Sequence, residues 1–226
     1  MSLPFNATYY IDVPRDEKAE KLILQYGVRK KLKAGEFLIR AGEAVTTINY
    51  LLSGALTHFA ISEQGTEKVG YINHPGSFTN ELLFLVHGGY LIPKRFVAVR
   101  QDSEVLVIDS QCFNILNQYR EFQSILMRSL NQKYSILRAE VDSFAFNSAQ
   151  TRLFRLFIAS VNRDSLSREK EWIPLKVTYT QQEMGAIIGI HRVSIARLLN
   201  NLCNGGYIRQ VNHKIEVNKK YVDAGK

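Results

Sequence analysis

The most informative part of the chain is residues 179–217, which read YTQQEMGAIIGIHRVSIARLLNNLCNGGYIRQVNHKIEV. Thr180 followed three residues later by Glu183 is the pattern of a capping box, so a helix is predicted to begin there. Gly189 is expected to end this helix, because glycine takes the positive φ that a tight turn requires. A second amphipathic helix is predicted from about His191 to Leu202, and the residues after it alternate as a small hairpin.

Two helices joined by a glycine turn and followed by a two-stranded hairpin form a winged helix-turn-helix. In this motif the second helix enters the major groove of DNA by its N-terminal end. Arginines there donate two parallel hydrogen bonds to guanine, and a valine packs on a thymine methyl. The predicted DNA-binding residues are Thr180, Gln181, His191, Arg192, Val193, Ser194 and Arg197.

The charge of the chain is concentrated in the same region. Residues 150–226 carry 13 Lys or Arg and 6 Asp or Glu, whereas residues 1–149 carry 16 and 15. A compact basic module suits a polyanion, because Lys and Arg displace counterions from phosphate. A solvated charged face that keeps the protein soluble is the alternative, and charge alone does not separate the two.

Residues 28–108 have a different texture, with short apolar segments separated by glycine turns. Residues 48–62, INYLLSGALTHFAIS, are rich in β-branched and aromatic side chains, and residues 95–109 are predicted to form two more strands. Short strands with regular turn signals favour an antiparallel sandwich or barrel.

At Ser110, the predicted N-cap of a short helix, the hydrophobic period changes from that of a strand to that of a helix. A longer helix is predicted from about Glu121 to Phe146. Its apolar residues recur at spacings of four and three, and they are Phe122, Leu126, Leu130, Tyr134, Leu137, Val141 and Phe144. This seam favours a dimer axis; the alternative is that it packs on its own domain.

The predicted fold class is therefore α+β. It comprises an N-terminal antiparallel sandwich or barrel (residues 1–119), a long dimerisation helix (120–146) and a C-terminal winged helix-turn-helix domain (147–226). The segment from Val141 to Gln150, with the aromatic pair Phe144 and Phe146, is expected to act as the switch between the N-terminal domain and the DNA-binding domain.

Composition and motifs narrow the function. With two cysteines and neither a signal-peptide pattern nor a long apolar run, the sequence predicts a cytoplasmic protein without a membrane partner. Recognised hydrolase, nucleotide-binding and zinc motifs are missing from the sequence, which argues against an enzyme. A regulatory module that controls a partner protein, rather than DNA, is the remaining alternative.

The chain resembles the cAMP-receptor/FNR family of bacterial regulators from about Lys31 to Val217. The β-roll is marked by KAGEFLIRAGEAVTTINYLLSGALTHFAISEQGTEKVGYINHPGSFTNELLF, and the helix-turn-helix by TQQEMGAIIGIHRVSIARLL. The resemblance implies that residues 1–119 form an antiparallel β-roll that senses an effector. It also implies a homodimer that binds double-stranded promoter DNA, contacts RNA polymerase and is reoriented by a small-molecule effector.

Departures from the family pattern disfavour cAMP as the effector. Glu81, which would hold the ribose hydroxyls, is present, but Pro93-Lys94 replaces the Arg-Ser pair that would clamp the cyclic phosphate. Lys94 or Arg95 is instead able to bind an anion at a different site. The predicted effector-binding residues are Asn80, Glu81, Lys94, Arg95, Tyr134, Leu137 and Arg138.

The sequence gives little support for an iron–sulfur cluster, a metal ion or a haem group. The clustered N-terminal cysteines of iron–sulfur sensors are missing, so neither an iron–sulfur cluster nor a metal is expected. A haem ligand such as His58 or His74 stays open as an alternative. The segment GIHRVSIAR is also similar to that of halorespiration regulators, which sense chlorinated phenols, so the identity of the small-molecule effector is left open.

Overall fold

The structure is a computed structural model, and it describes residues 9–87, 95–162, 165 and 171–223. The contacts between residues divide the chain into two compact units. One comprises Tyr9–Ser62 and Val69–Leu137, and is called here the β-roll unit. The other comprises Glu63–Lys68 and the described residues from Arg138 to Asp223, and is called the helix-turn-helix unit.

The β-roll unit is built on a seven-stranded sheet with the strand order β1-β5-β4-β7-β2, in which β3 also pairs with β7 and β6 with β4. The strands are β1 (Tyr10–Ile11), β2 (Val28–Leu32), β3 (Phe37–Ile39), β4 (Ile48–Ile61), β5 (Glu67–Asn73), β6 (Phe78–Thr79) and β7 (Arg95–Ile108). Of the registers determined, those of β2, β3, β4, β6 and β7 are antiparallel, and β1 pairs with β5 in parallel. The antiparallel β-roll predicted from the sequence is confirmed in its main part.

Strands β4 and β7 alternate between two hydrophobic cores, because neighbouring side chains point to opposite faces of a sheet. One face of the pair, including Tyr50 and Leu106, packs against helices of the same unit. The opposite face, including Leu51 and Val105, packs with β2 and β3. The helices are α1 (Glu17–Tyr26), α2 (Glu81–His87), α3 (Ser110–Leu116) and α4 (Arg120–Phe146), which continues into the second unit.

Two local predictions were wrong. Residues 95–108 form one 14-residue strand rather than two, because the register shifts in its pairing with β4 absorb the irregularity near Gly54 without ending the strand. The N-cap of α3 is Asp109, not Ser110. The Asp109 carboxylate accepts a hydrogen bond from the Cys112 amide at 2.8 Å, and Ser110 is the first helical residue.

The apolar seam of α4 divides into two parts. Phe122 and Leu126 are buried in the core of the β-roll unit. Tyr134 and Val141 are 63% and 67% exposed in the single chain. The N-terminal part of the seam therefore packs on its own domain, whereas Tyr134 and Val141 in the C-terminal part are left exposed.

The helix-turn-helix unit contains α5 (Ala149–Ala159), α6 (Gln181–Ile188), α7 (Arg192–Asn204), α8 (Lys219–Asp223) and a three-stranded sheet. The sheet has the order β8-β10-β9, with β8 (Trp172–Pro174), β9 (Ile208–Val211) and β10 (Lys214–Asn218). Its core includes Leu153, Phe157, Ile187 and Leu199. The winged helix-turn-helix predicted from residues 179–217 is confirmed.

Candidate functional site

Both ends of α6 are defined by specific residues, a capping box at its N-terminus and a glycine at the turn that leads to α7. Thr180 Oγ1 accepts a hydrogen bond from the Glu183 amide at 3.1 Å, and the Glu183 carboxylate accepts one from the Thr180 amide at 2.9 Å. This capping box satisfies two amides that would otherwise lack partners. Gly189 then takes φ 72° at the C-terminus, as the sequence predicted. Thr180 therefore has a structural role whether or not it also contacts DNA.

Helix α7 presents most of the residues that were predicted to bind DNA. His191 is its N-cap rather than its first residue, and His191 Nδ1 accepts from the Val193 amide at 3.4 Å. Arg192, Val193 and Arg197 are exposed, with Val193 at 72%, and Ser194 is half-buried. The opposite face of the helix is buried through Ile195, Leu198, Leu199 and Leu202. Packing of that face holds the arginines towards solvent.

The hairpin between β9 and β10 adds a second surface to the same unit. Its tip residues Asn212 and His213 both have positive φ, of 49° and 61°, as a tight two-residue hairpin requires. Arg209 is held on the hairpin, because its Nε donates to Glu216 at 2.6 Å and its guanidinium lies 5.0 Å from the Trp172 ring. The exposed cation next to the tip is Lys214.

Phe144, near the end of α4, contacts the turn between α6 and α7. A methyl group built on Gly189 would lie 2.8 Å from Phe144 Cζ. The Arg152 guanidinium lies 4.5 Å from the centre of the same ring, and Arg152 Nε donates to the Ile188 carbonyl at 3.2 Å. Phe146, the other member of the predicted aromatic pair, is 83% exposed.

Glu81, the acidic residue of the predicted effector site, is already engaged within the β-roll unit. Lys133 of α4 forms an ion pair with Glu81 Oε1, and its ammonium group also donates to the Phe78 carbonyl at 2.7 Å. Ser129 Oγ donates to the same Glu81 oxygen at 3.2 Å. Burial lowers the pKa of Lys133, and the charge of Glu81 opposes that shift.

Lys133 and Ser129 were missed in the sequence analysis. A signal for them was present, because both lie at helical spacing from Phe122 and Leu126 on the buried face of α4. A serine and a lysine on an otherwise apolar face require buried partners. Nothing in the spacing identified Glu81 as that partner.

A buried histidine and a tyrosine border the ion pair. The His58 and Tyr71 rings lie 4.4 Å apart, and His58 Nε2 is 2.7 Å from Thr79 Oγ1. Burial holds the pKa of His58 well below its usual value, and the charges of Lys133 and Arg95 act in the same direction. His58 is therefore neutral. Its ring nitrogen contacts a hydroxyl group, which offers no support for a haem ligand.

The other predicted effector residues differ in their placement. Asn80 is buried with φ 73°, and its Nδ2 has no hydrogen-bond partner among the described residues. Arg95 is exposed at the start of β7, and Lys94 lies outside the described residues. Tyr134 and Arg138 are exposed, and Leu137 is half-buried. The structure thus places Asn80 and Glu81 in one buried region, and the effector-binding roles of all seven residues stay predictions.

Within the described part of the chain, no group of three or more His, Cys, Asp or Glu side chains is arranged to hold a metal ion. Cys112 and Cys203 are both half-buried free thiols. No helix in the described ranges has both the length and the apolar character needed to span a membrane.

Family comparisons agree with this architecture. Residues 29–119 match the cyclic nucleotide-binding domain family, and residues 151–220 match the Crp-like helix-turn-helix domain family. The cAMP-activated global regulator Vfr of Pseudomonas aeruginosa is 26% identical over 200 residues, which cover 86% of this chain and 91% of Vfr. The cAMP-activated regulator CRP of Salmonella typhimurium is 26% identical over 169 residues, or 73% and 77% of the two chains.

Solved structures show the same fold at lower sequence identity. The c-di-GMP-responsive regulator CLP of Xanthomonas campestris superposes with a TM-score of 0.78 at 16% identity, covering 90% of this chain and 99% of CLP. The structure of a cysteine-to-serine variant of CprK in complex with OCPA superposes with a TM-score of 0.74 at 18% identity, covering the whole of both chains. A cyclic nucleotide-binding domain followed by a long helix and a Crp-like helix-turn-helix assigns this chain to the CRP/FNR family of DNA-binding transcriptional regulators.

Proposed function

We propose that this regulator reads a specific operator through α7 and responds to a small-molecule effector other than cAMP. The observation that supports the first part is the exposure of Arg192, Val193 and Arg197 on a helix whose opposite face is buried. Arginines at the N-terminal end of such a helix are well placed to donate paired hydrogen bonds to guanine O6 and N7.

Val193 distinguishes the expected operator from the common one of the family. Glutamate is common at this position in the family and accepts a hydrogen bond from cytosine N4, whereas valine offers only an apolar contact such as that with a thymine methyl. We therefore expect a half-site that keeps its guanines but differs from TGTGA. Selection of binding sites from random DNA with the purified protein tests this, and recovery of an unaltered TGTGA consensus would contradict it.

A homodimer is the form in which the regulator is proposed to bind. Met127, Tyr134 and Val141 of α4 are all more than half exposed and lie seven residues apart, which is the repeat of a two-helix seam. A symmetric pair of chains would present two α7 helices to half-sites about one helical turn, or roughly 34 Å, apart. Promoter binding in the cytoplasm with contact to RNA polymerase follows from this role.

The proposal that cAMP is not the effector is supported by the state of Glu81. A ribose hydroxyl would have to compete with the buried Lys133 ammonium and the Ser129 hydroxyl for this carboxylate. Removing a buried charge from its partner is strongly unfavourable. The two proteins compared by structure, CLP and CprK, are described with c-di-GMP and OCPA rather than cAMP, so the fold accommodates other effectors.

Isothermal titration of the full-length protein with cAMP tests the effector proposal. At millimolar cAMP we expect no heat of binding. We also expect no rise in the midpoint of thermal unfolding, which a ligand that binds only the native state would raise. Saturable binding of cAMP with a gain in operator affinity would contradict it.

The coupling between effector and DNA is proposed to pass through the segment Val141–Gln150. Phe144 in this segment contacts Gly189, which sets the turn before α7. A change in the packing of Phe144 would therefore act directly on the position of the recognition helix. Two arrangements of one packed element are what allostery between separate sites requires.

A further inference from the structure

Several hydrogen-bonding groups around the buried Glu81–Lys133 pair lack a described partner: two are donors, on Lys133 and Asn80, and one is the acceptor Asn73 Oδ1. Lys133 has three N–H groups, and the described residues account for two of them, at Glu81 and the Phe78 carbonyl. Asn80, the neighbour of Glu81 in the chain, has a buried Nδ2 with no described partner. A buried donor without a partner is costly, so a native site with such a group favours a bound acceptor.

These groups belong to one cluster. His58 Nε2 and Asn80 Oδ1 both contact Thr79 Oγ1, at 2.7 Å and 3.3 Å. The Tyr71 ring lies 4.4 Å from the His58 ring and 5.3 Å from the Lys133 ammonium. Arg95 pairs with Ala60 of β4 and therefore lies on the same face of the sheet as His58, and its charge lowers the pKa of both His58 and Tyr71. The cluster is contiguous and lies entirely within the β-roll unit.

The charge of the cluster is positive. Its charged members among the described residues are Glu81, Lys133 and Arg95, since His58 is neutral. Tyr71 is neutral as well, because burial of its hydroxyl and the charge of Glu81 raise its pKa. The phenol therefore keeps its proton and serves as another donor.

We infer that the effector is a small organic carboxylate, and that its oxygens accept hydrogen bonds from the free N–H of Lys133, from Asn80 Nδ2 and from the Tyr71 hydroxyl. The inference rests on the proposed function, because it names the effector class for the same regulator. Glu81 stays in place as the counter-ion of Lys133, and the positive charge of Arg95 balances the ligand. Charge-assisted hydrogen bonds of this kind are roughly twice as strong as neutral ones, so a neutral molecule of the same shape is disfavoured.

The test compares carboxylates with their neutral amides on the full-length protein. Benzoate and pyruvate, an aromatic and an aliphatic carboxylate, are titrated beside benzamide and pyruvamide, with the unfolding midpoint and the heat of binding as readouts. At least one carboxylate is expected to raise the midpoint, and its amide is expected to bind about tenfold or more weakly. Whether benzoate or pyruvate binds shows whether the site prefers an aromatic or an aliphatic carboxylate.

Variants locate the binding. Arg95→Gln and Tyr71→Phe remove one interacting group each without leaving a buried charge, and each is expected to weaken carboxylate binding by about tenfold. Lys30→Gln removes an exposed cation from β2 of the same unit and is expected to leave binding unchanged. The side-chain amide resonance of Asn80 should move on addition of the carboxylate and stay in place with the amide.

Two results would overturn the inference: neither carboxylate binds at millimolar concentration, or carboxylate and amide bind equally and Arg95→Gln and Tyr71→Phe behave like Lys30→Gln. Operator binding by the same preparations separates this failure from that of the proposed function. Intact operator binding without a carboxylate response rejects the effector class alone. A carboxylate response without binding to any selected operator rejects the proposed regulator.

Discussion

The ammonium group of Lys133 forms an ion pair with the carboxylate of Glu81, and the two side chains are 7% and 1% exposed. This pair joins the long helix α4 to the start of α2 through groups that have left water almost completely. Lys133 thereby engages the Glu81 carboxylate, which would bind the ribose hydroxyls if the chain followed the pattern of cyclic-nucleotide binders. The pair therefore bears on the stability of the β-roll unit and on the choice of effector.

Lys133→Met is expected to destabilise the protein by about 3–5 kcal/mol, because it leaves a buried carboxylate without its counter-charge. Glu81→Gln alone is expected to be similarly costly, since it strands the ammonium group. The double variant removes both charges and is expected to regain a large part of the loss. Urea unfolding of the four proteins measures the coupling, and additive effects in the double variant would show that the pair does not interact energetically.

His58 predicts a pH dependence of stability. Its pKa is held well below the ordinary value of 6.5, chiefly by burial and then by Lys133. The unfolded chain therefore binds a proton below about pH 6.5 that the folded protein does not, and the free energy of unfolding falls as the pH drops from there towards the folded pKa. At pH values above the pKa of His58 in the unfolded chain, His58 is neutral in both states, and this loss of stability is absent.

For one titrating group, the free energy of unfolding changes by at most about 1.4 kcal/mol per pH unit. Chemical unfolding of His58→Gln between mildly acidic and neutral pH is expected to show a shallower loss than the parent protein. His213→Gln, which changes an exposed histidine at the hairpin tip, is the matched control. Identical pH profiles for His58→Gln and the parent would refute this assignment.

Gly189→Ala tests the contact between the helix-turn-helix and Phe144. Both Gly189 and Gly206 have positive φ, of 72° and 67°, so alanine costs roughly 1–2 kcal/mol of backbone strain at each. A methyl group at Gly206 meets nothing within 4 Å, whereas at Gly189 it would lie 2.8 Å from Phe144 Cζ. Gly189→Ala is therefore expected to be the more destabilising, and the difference should shrink in a Phe144→Ala background. Equal losses of stability at the two glycines would speak against the contact.

Phe144→Ala is expected to change the response of operator affinity to effector while leaving effector binding within about twofold, since the ring touches the recognition turn and the proposed carboxylate site lies in the β-roll unit. Fluorescence anisotropy on a selected operator gives the first quantity, and isothermal titration with the responding carboxylate gives the second. Phe146→Ala, at a residue that is 83% exposed, is the control. Equal losses in both quantities would indicate general damage instead of uncoupling.

The elements of the helix-turn-helix unit could be predicted closely because their signals are local. The capping box at Thr180, the glycine turn at Gly189 and the alternation of the hairpin each lie within a few residues. Such patterns depend on backbone geometry and hydrogen bonds between near neighbours, which the sequence states directly.

The buried cluster proposed as the effector site was predicted only in part, because its contacts are distant in sequence. Lys133 and Glu81 are 52 residues apart, and Thr79 and His58 are 21 apart. A resemblance identified Glu81, but the buried lysine that pairs with it became visible only when α4 was packed on the sheet. The strand from Arg95 to Ile108 was misjudged for a related reason, since a partner strand determines whether an irregularity ends a strand or bends it.

Binding of a selected operator by Arg192→Ala/Arg197→Ala, measured by fluorescence anisotropy over a range of salt concentrations, tests the central claim most directly. Each arginine paired with a guanine is worth about 1–3 kcal/mol, so the double variant should lose roughly 30-fold or more in affinity for the operator. Its binding to random DNA should fall much less. Arg155→Ala, at an exposed arginine of α5 in the same unit, should bind the operator like the parent protein. Unchanged operator affinity in the double variant would contradict recognition of DNA through α7.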